Sequence, residues 1–245
     1  MYKDAHRMFL QVLTAKRILL GSEVKSLFDK CRTISPEIPN DLQQFVMDIN
    51  EQLEIMHLSI RKSVQEDYNG DSQCFVLVNT LNVTSSDSGR MISSFTTQEV
   101  ALFRRIIEVI VQSEDGCVGE NVAINLASTI TPRMKIGDSE MLVERLVADN
   151  WLLKHDGELT LSALTNAEIQ PYLEEQYGDV IQKCFFCKIL TFRGHRCNSC
   201  TTRVHRQCGF KYWNKIKKSP TCPEPSCKED WQHIDVDISN KRSRS

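Results

Sequence analysis

Seven of the ten cysteines and one histidine fall between residues 184 and 227, in the order Cys184-x2-Cys187-x9-Cys197-x2-Cys200-x4-His205-x2-Cys208-x13-Cys222-x4-Cys227. A segment this short cannot build an apolar core of sufficient size, so thiols and imidazole must do the folding. Clustered thiols in a reducing compartment favour metal over disulfides, and eight ligands fill two closed tetrahedral zinc sites. A Cys-x2-Cys pair suits zinc because a tight turn aims both sulfurs at one ion. Metal binding of this kind supplies folding energy on the order of 10–16 kcal/mol per site. With no coordination position open to water, the two ions are expected to be structural.

The ligands divide in one of two ways. Interleaved, Cys184, Cys187, His205 and Cys208 hold one ion, while Cys197, Cys200, Cys222 and Cys227 hold the other. Taken in sequence, they make two independent knuckles. His195 and His233 are spare imidazoles able to compete for a place. The remaining cysteines, Cys31, Cys74 and Cys117, are scattered and read as buried apolar thiols.

Charge separates this segment from the rest. Residues 1–183 carry 17 Lys and Arg against 27 Asp and Glu, a balance of −10, whereas residues 184–228 carry 10 against the single Glu224, or +9. Seven thiolates and two zinc ions change that by −7 + 4, leaving about +6. An acidic body is joined to a basic module. The opening stretch MYKDAHRMFLQVLTAKRILL lacks the uncharged apolar run of a secretion signal, and no segment approaches the ~20 apolar residues that span a bilayer. A soluble intracellular protein that does not contact membrane is expected.

Within the acidic body, LQQFVMDINEQLEIM places Leu42, Phe45, Val46, Ile49, Leu53 and Met56 on one helical face. HLSIRKSVQED, the turn Asn69-Gly70 and CFVLVNT then read as a hairpin. The order repeats. TTQEVALFRRIIEVIV has an N-cap at Thr96 or Thr97 and a stripe through Leu102, Phe103, Ile106 and Ile110. SEMLVERLVADNWLLKHDGELTL is a helix, with Met141, Leu142, Val143, Leu146 and Val147 on its apolar side, followed by a hairpin across Asp156-Gly157. Helix followed by hairpin, twice, predicts tandem winged helices in an α+β, mostly helical chain. The expected organisation is a first winged helix over 1–84, a linker over 85–90 containing SSDSG, a second winged helix over 91–180, a two-zinc cross-brace RING-like module over 181–232, and a polar, disordered tail over 233–245. The third helix of the second unit sets Arg145 against Glu140, Glu144 and Asp149, a face that repels a phosphate backbone and suits a protein partner. Arg104 and Arg105 read as a solvated helix face.

The interleaved ligand order resembles RING and PHD fingers. A histone-reading PHD finger wants an aromatic before the seventh ligand, where this chain has Thr221. The RING resemblance implies a surface for a ubiquitin-conjugating enzyme. Phe186, Ile189, Trp213 and Pro223 fall where such a surface needs apolar contacts, and Lys228 falls where a cation contacts ubiquitin. GFKYWNKIKKS supplies the helix between the sixth and seventh ligands, with Phe210, Trp213 and Ile216 along one side. Trp213 also reads as the core aromatic of a very small domain. The final pair, CPEPSC, departs from the RING pattern by its four-residue gap.

Across residues 4–235 the chain resembles the non-SMC element one family, the variant-RING subunits of SMC five/six chromosome complexes. DAHRMFLQVL, FVLVNT, DNWLLKHDGELTL, CNSCTTRVHRQC, PTCP and DWQH carry the likeness. That resemblance implies ubiquitin-ligase activity enhanced by a MAGE-type winged-helix partner, non-SMC element three, with a kleisin, non-SMC element four, nearby. It also implies a nuclear, chromosomal location and a role in recombinational DNA repair. Such a ligase has no catalytic nucleophile and works by positioning a charged conjugating enzyme. The rival expectation is a scaffold that only docks these partners. A third reading adds nucleic-acid (DNA) contact within the assembly through Arg193, His195, Arg196 and Lys215 to Lys218.

Overall fold

The computed structural model describes residues 3–68, 70–80, 95–216 and 220–231. Asn69, the 85–90 linker, Lys217, Lys218, His233 and the 233–245 tail lie outside the described residues. No helix among the described residues is long and apolar enough to cross a membrane.

The first unit runs α1 (Asp4–Lys16), β1 (Ile18–Leu20), α2 (Gly21–Ile34), α3 (Leu42–Leu53), β2 (Leu58–Asp67) and β3 (Gly70–Asn79). Its sheet has the order β1-β3-β2, antiparallel throughout, with Leu58 opposite Asn79 and Asp67 opposite Gly70. Phe9, Leu13, Val24, Phe28, Phe45, Ile49, Leu53 and Ile60 close its core. The expected α3 stripe is buried except at its end. Met56 sits on a single 3-10 turn after the helix and is 58 % exposed.

The second unit repeats the plan: α4 (Thr97–Gln112), β4 (Val118–Gly119), α5 (Glu120–Asn125), α6 (Ile136–Ala148), β5 (Leu152–His155) and β6 (Glu158–Leu161), with sheet order β4-β6-β5. Thr96 is the N-cap. Its hydroxyl accepts the Glu99 amide, and the Glu99 carboxylate accepts the Thr96 amide, a reciprocal capping box. The β5–β6 turn places Asp156 and Gly157 at φ 47° and 79°, the left-handed pair that a two-residue hairpin needs. Leu142, Val143 and Leu146 of α6 are buried, but Met141, expected beside them, is 69 % exposed. Arg145 is engaged by Glu99 and Asp149 and lies over Phe95, so it does not offset Glu140 and Glu144 and the α6 face stays acidic. Arg104 is not a solvated cation: its guanidinium lies over the Tyr172 ring.

Two further helices, α7 (Ala163–Glu168) and α8 (Gln170–Tyr177), follow β6. Helix α7 fastens the second unit to the first by laying Ala163, Leu164 and Ala167 on Cys74, Val76 and Val78 of β3. The Ser63 hydroxyl donates to Ala163 O at 3.1 Å, and the Ala163 amide donates to the Gln65 side chain at 2.9 Å. Cys31 and Cys74 are buried, as expected of structural thiols, but Cys117 is only partly buried and lines a polar cavity with Glu158.

The C-terminal module is a set of short pieces: β7 (Gln182–Lys183), β8 (Leu190–Thr191), β9 (His195–Arg196), β10 (Arg203–Val204) and α9 (Arg206–Ile216). It docks on both units. Gly116, at φ +65°, leaves room for the Phe192 backbone, whose carbonyl oxygen would stand 2.8 Å from any added Cβ. Replacing Gly116 by Ala adds left-handed strain and overpacking together. The expected loss is about 2 kcal/mol or more, read as a lowered denaturation midpoint in urea.

Candidate metal centres

Two sets of four ligands each converge on one point. Cys184 follows β7, Cys187 ends the first knuckle, His205 follows β10, and Cys208 lies in the first turn of α9. Their ligand atoms all fall within 4.8 Å of one another, as do those of Cys197, Cys200, Cys222 and Cys227. The interleaved division is the one the fold adopts. Pairing of β9 with β10, Arg196 opposite Arg203 and His195 opposite Val204, produces it. The strand pair ends in Cys197 on one side and His205 on the other, so adjacent strands feed different clusters. His195 belongs to neither cluster.

Distances fit zinc. Cys187 Sγ lies 3.2 Å and Cys208 Sγ 4.0 Å from His205 Nδ1. In the second group Cys197 and Cys227 sulfurs are 3.6 Å apart, and Cys200 and Cys222 sulfurs 3.7 Å apart. Zn–S bonds of about 2.3 Å at tetrahedral angles require sulfur separations near 3.8 Å. All seven cysteines are free thiols.

The electrostatics suit a cation as well. Burial would pull His205 down, but the Cys184 and Cys187 sulfurs and the Glu66 carboxylate outweigh it and raise the imidazole to about 10. Cys184 is held well below the usual thiol range by hydrogen bonds from Cys187 and Cys208. For Cys197, burial alone would raise the thiol, yet the Ser199 and Cys200 amides and the Trp231 indole bring it to about 6. Cys208, Cys222 and Cys227 are shifted the other way, Cys208 chiefly by the neighbouring thiols and Cys222 chiefly by burial, so each group pairs a lowered thiol with protonated ones whose protons a divalent ion displaces on binding.

The unusual CPEPSC spacing is absorbed locally. Cys227 N donates to Glu224 O at 3.0 Å, closing the turn, and Cys222 N donates to Glu229 O at 2.8 Å. An antiparallel bridge of Thr221 with Asp230 brings the wider loop back into register. Four intervening residues therefore still return Cys227 to the cluster.

The expected docking residues do not share one fate. Phe186, Ile189 and Pro223 are half-buried, and Lys228 is exposed. Trp213 is 2 % exposed, with its ring over Gly209, its edge against Trp231, and its indole N–H donating to Thr221 O at 3.3 Å. It is a core residue of the module, with almost none of its surface exposed. The aromatic surface is made by its neighbour Tyr212, 39 % exposed, whose ring lies 4.6 Å from that of Phe186. Apolar spacing along α9 selects Phe210, Trp213 and Ile216 and passes over Tyr212, although a tyrosine one place off the apolar stripe of so small a helix is a surface signal. Sequence reasoning also passed over Glu66. This buried acid of β2 accepts the Thr191 hydroxyl, the Phe192 amide and the Arg193 amide from the module.

Comparison with known proteins agrees with this geometry. Residues 6–168 match the family described as Nse1 non-SMC component of SMC5-6 complex, and residues 184–227 match the RING-like domain. The chain belongs to the Nse1 family. It is 30% identical over 240 residues to the mouse non-structural maintenance of chromosomes element 1 homolog, covering 97% of this chain and 87% of that protein. The human homolog is 30% identical over 233 residues, covering 94% and 85%. A chain in the solved Nse1-Nse3-Nse4 complex superposes with a TM-score of 0.78 at 30% identity, covering 96% of this chain and 99% of that one.

Two expectations follow. The purified chain carries two zinc ions, and Cys208→Ser or Cys222→Ser each lowers the content toward one, measured by elemental analysis alongside chelator titration. Trp213→Ala empties the module's core and costs about 3–5 kcal/mol of local stability, seen as loss of amide-exchange protection across residues 184–231. A residue that only docks a partner leaves that protection intact.

Proposed function

We propose that the chain is a RING-type ubiquitin-ligase subunit of an SMC5-6 complex, acting on chromosomes in the nucleus in DNA repair by homologous recombination. The observation that carries this reading is the pair of interleaved clusters on a body of the Nse1 family. The two helix–hairpin units act as winged helices that bind a MAGE-type Nse3 partner, with the kleisin Nse4 beside it; the similarity of the fold to a chain of the Nse1-Nse3-Nse4 complex supports this reading. Zinc at Cys184, Cys187, His205 and Cys208, and at Cys197, Cys200, Cys222 and Cys227, holds loops in place and activates no water, since four protein ligands close each site.

Such a ligase accelerates transfer by orientation. A ubiquitin-loaded conjugating enzyme is held so that its thioester is presented to the acceptor amine, and the protein supplies no nucleophile. Phe186 and Tyr212 form the apolar contact, with Ile189 and Pro223 at its margin and Lys228 reaching ubiquitin. Trp213 supports this face from beneath. The rival reading is a scaffold without transferase activity. It is favoured by the extent to which the module is fastened to the body through Glu66, Asp67 and Asp71. Contact with nucleic acid is less well supported. Arg193, Arg196, Arg203 and Arg206 line a cavity of about 600 Å³, but Glu114, Asp115 and Glu158 line it too and offset the attraction for a phosphate backbone.

The deciding measurement is single-turnover discharge of ubiquitin from charged conjugating enzymes by the chain co-purified with its MAGE-type partner. Tyr212→Ala and Phe186→Ala are each expected to slow discharge about tenfold, the loss of one buried aromatic contact, with zinc content and assembly unchanged. No discharge from any charged enzyme, with both zinc ions bound, establishes the scaffold instead.

A further inference from the structure

We propose that Glu66, a residue of the first unit, is a positioning residue for the zinc ion of the first cluster, acting through His205. The proposal rests on the zinc reading of that cluster. His205 turns Nδ1 toward Cys187 Sγ, 3.2 Å away, so Nδ1 is the ligating nitrogen. Nε2 faces the other way, 3.2 Å from Leu190 O and 3.6 Å from Glu66 Oε1. A metal-bound imidazole keeps its tautomer and direction through acceptors on its outer nitrogen, and a carboxylate there also makes the ring a stronger donor to the metal. The Leu190 carbonyl sets the direction. Glu66 supplies the carboxyl group, which burial pushes up and the imidazole and the Thr191 and Phe192 donors pull down.

The carboxylate is held for this task. Oε2 accepts the Phe192 amide at 2.9 Å and the Arg193 amide at 3.3 Å, while Oε1 accepts the Thr191 hydroxyl at 2.5 Å and looks onto the imidazole. Glu66 is 3 % exposed and His205 is fully buried, so water does not screen the pair. The loop that grips Glu66 is pressed against the strand leading into His205. A Cβ on Gly194 would collide with Thr191 Oγ1 and stand 2.6 Å from Val204 O. The ligand, its outer acceptor and the donors that fix that acceptor form one closed set, and one member comes from 139 residues earlier in the chain (205 − 66).

The test uses the full chain loaded with zinc or with cadmium. A site of three thiolates and one imidazole and a site of four thiolates give separate cadmium resonances, so each cluster reports on itself. In Glu66→Gln, which keeps the side chain's size, the resonance of the His205 cluster is expected to shift while that of the all-thiolate cluster stays. Transfer of one of the two zinc ions to a chromophoric chelator is expected to speed up about tenfold or more. Glu66→Asp, which keeps the charge, restores part of the lost retention. Should Glu66→Gln not fold, Thr191→Val, which removes a donor to the same carboxylate, carries the same reading. Unchanged resonances and release rates in a folded variant overturn the proposal, and so does an equal change at both sites, which marks a loosened seam. Wild-type protein that binds no metal at the His205 cluster overturns the zinc reading itself.

Discussion

The hairpin of β2 and β3 is the member on which the other parts depend. Ten residues on each strand pair without interruption, and β1, α7 and the C-terminal module are all attached to it. Its apolar phase belongs to the body: Ile60 and Phe75 enter the first core, while Cys74, Val76 and Val78 meet α7. Its tip is acidic and meets the basic module. Glu66 accepts three donors there, Asp67 O accepts Arg206, and Asp71 accepts the Gln207 amide at the start of α9. The opposed charges of body and module, −10 and +9, are thus in part a docking device. Buried carboxylates are costly unless their oxygens are occupied, and the module occupies both oxygens of Glu66 and Oδ2 of Asp71.

The module has little else to fold with. Its core is Val204, Trp213 and Trp231 set among buried cysteines. Two tryptophans and one valine do not offset the chain entropy of nearly fifty residues. Metal binding makes up the difference, and the tryptophans fill the space between clusters. That division of labour explains why Trp213 is buried while Tyr212 beside it is exposed. An indole is needed to close the apolar centre of so small a module.

Much of this was legible in the chain because the signals were local. Ligand spacing announces two four-fold clusters, and the capping box at Thr96 and the turn at Asp156-Gly157 are each written within a few residues. The interleaving was not decided by spacing, since it depends on β9 pairing with β10, four residues that carry no strand signal of their own. Met56 and Met141 failed because helical periodicity fixes a direction but not where the opposing layer ends. Glu66 was illegible for a deeper reason. Within SVQED it is an ordinary strand-end acid, and only the arrival of Thr191, Phe192 and Arg193 from the far end of the chain makes it a buried acceptor.

That long-range contact has a thermodynamic consequence. If the carboxylate of the first unit strengthens the hold of His205 on its ion, then the ion must strengthen, by the same free energy, the hold of the module on the first unit. Zinc in the first cluster then does more than fold the loops around it, because its occupancy also favours the orientation in which the Phe186–Tyr212 face is presented. The ligands of the second cluster, Cys197, Cys200, Cys222 and Cys227, come from the later loops of the module, and two of them line a cavity with Glu114, Asp115 and Glu158 of the body. The first site, through His205 and Glu66, is the one whose occupancy this linkage ties to the placement of the module on the first unit.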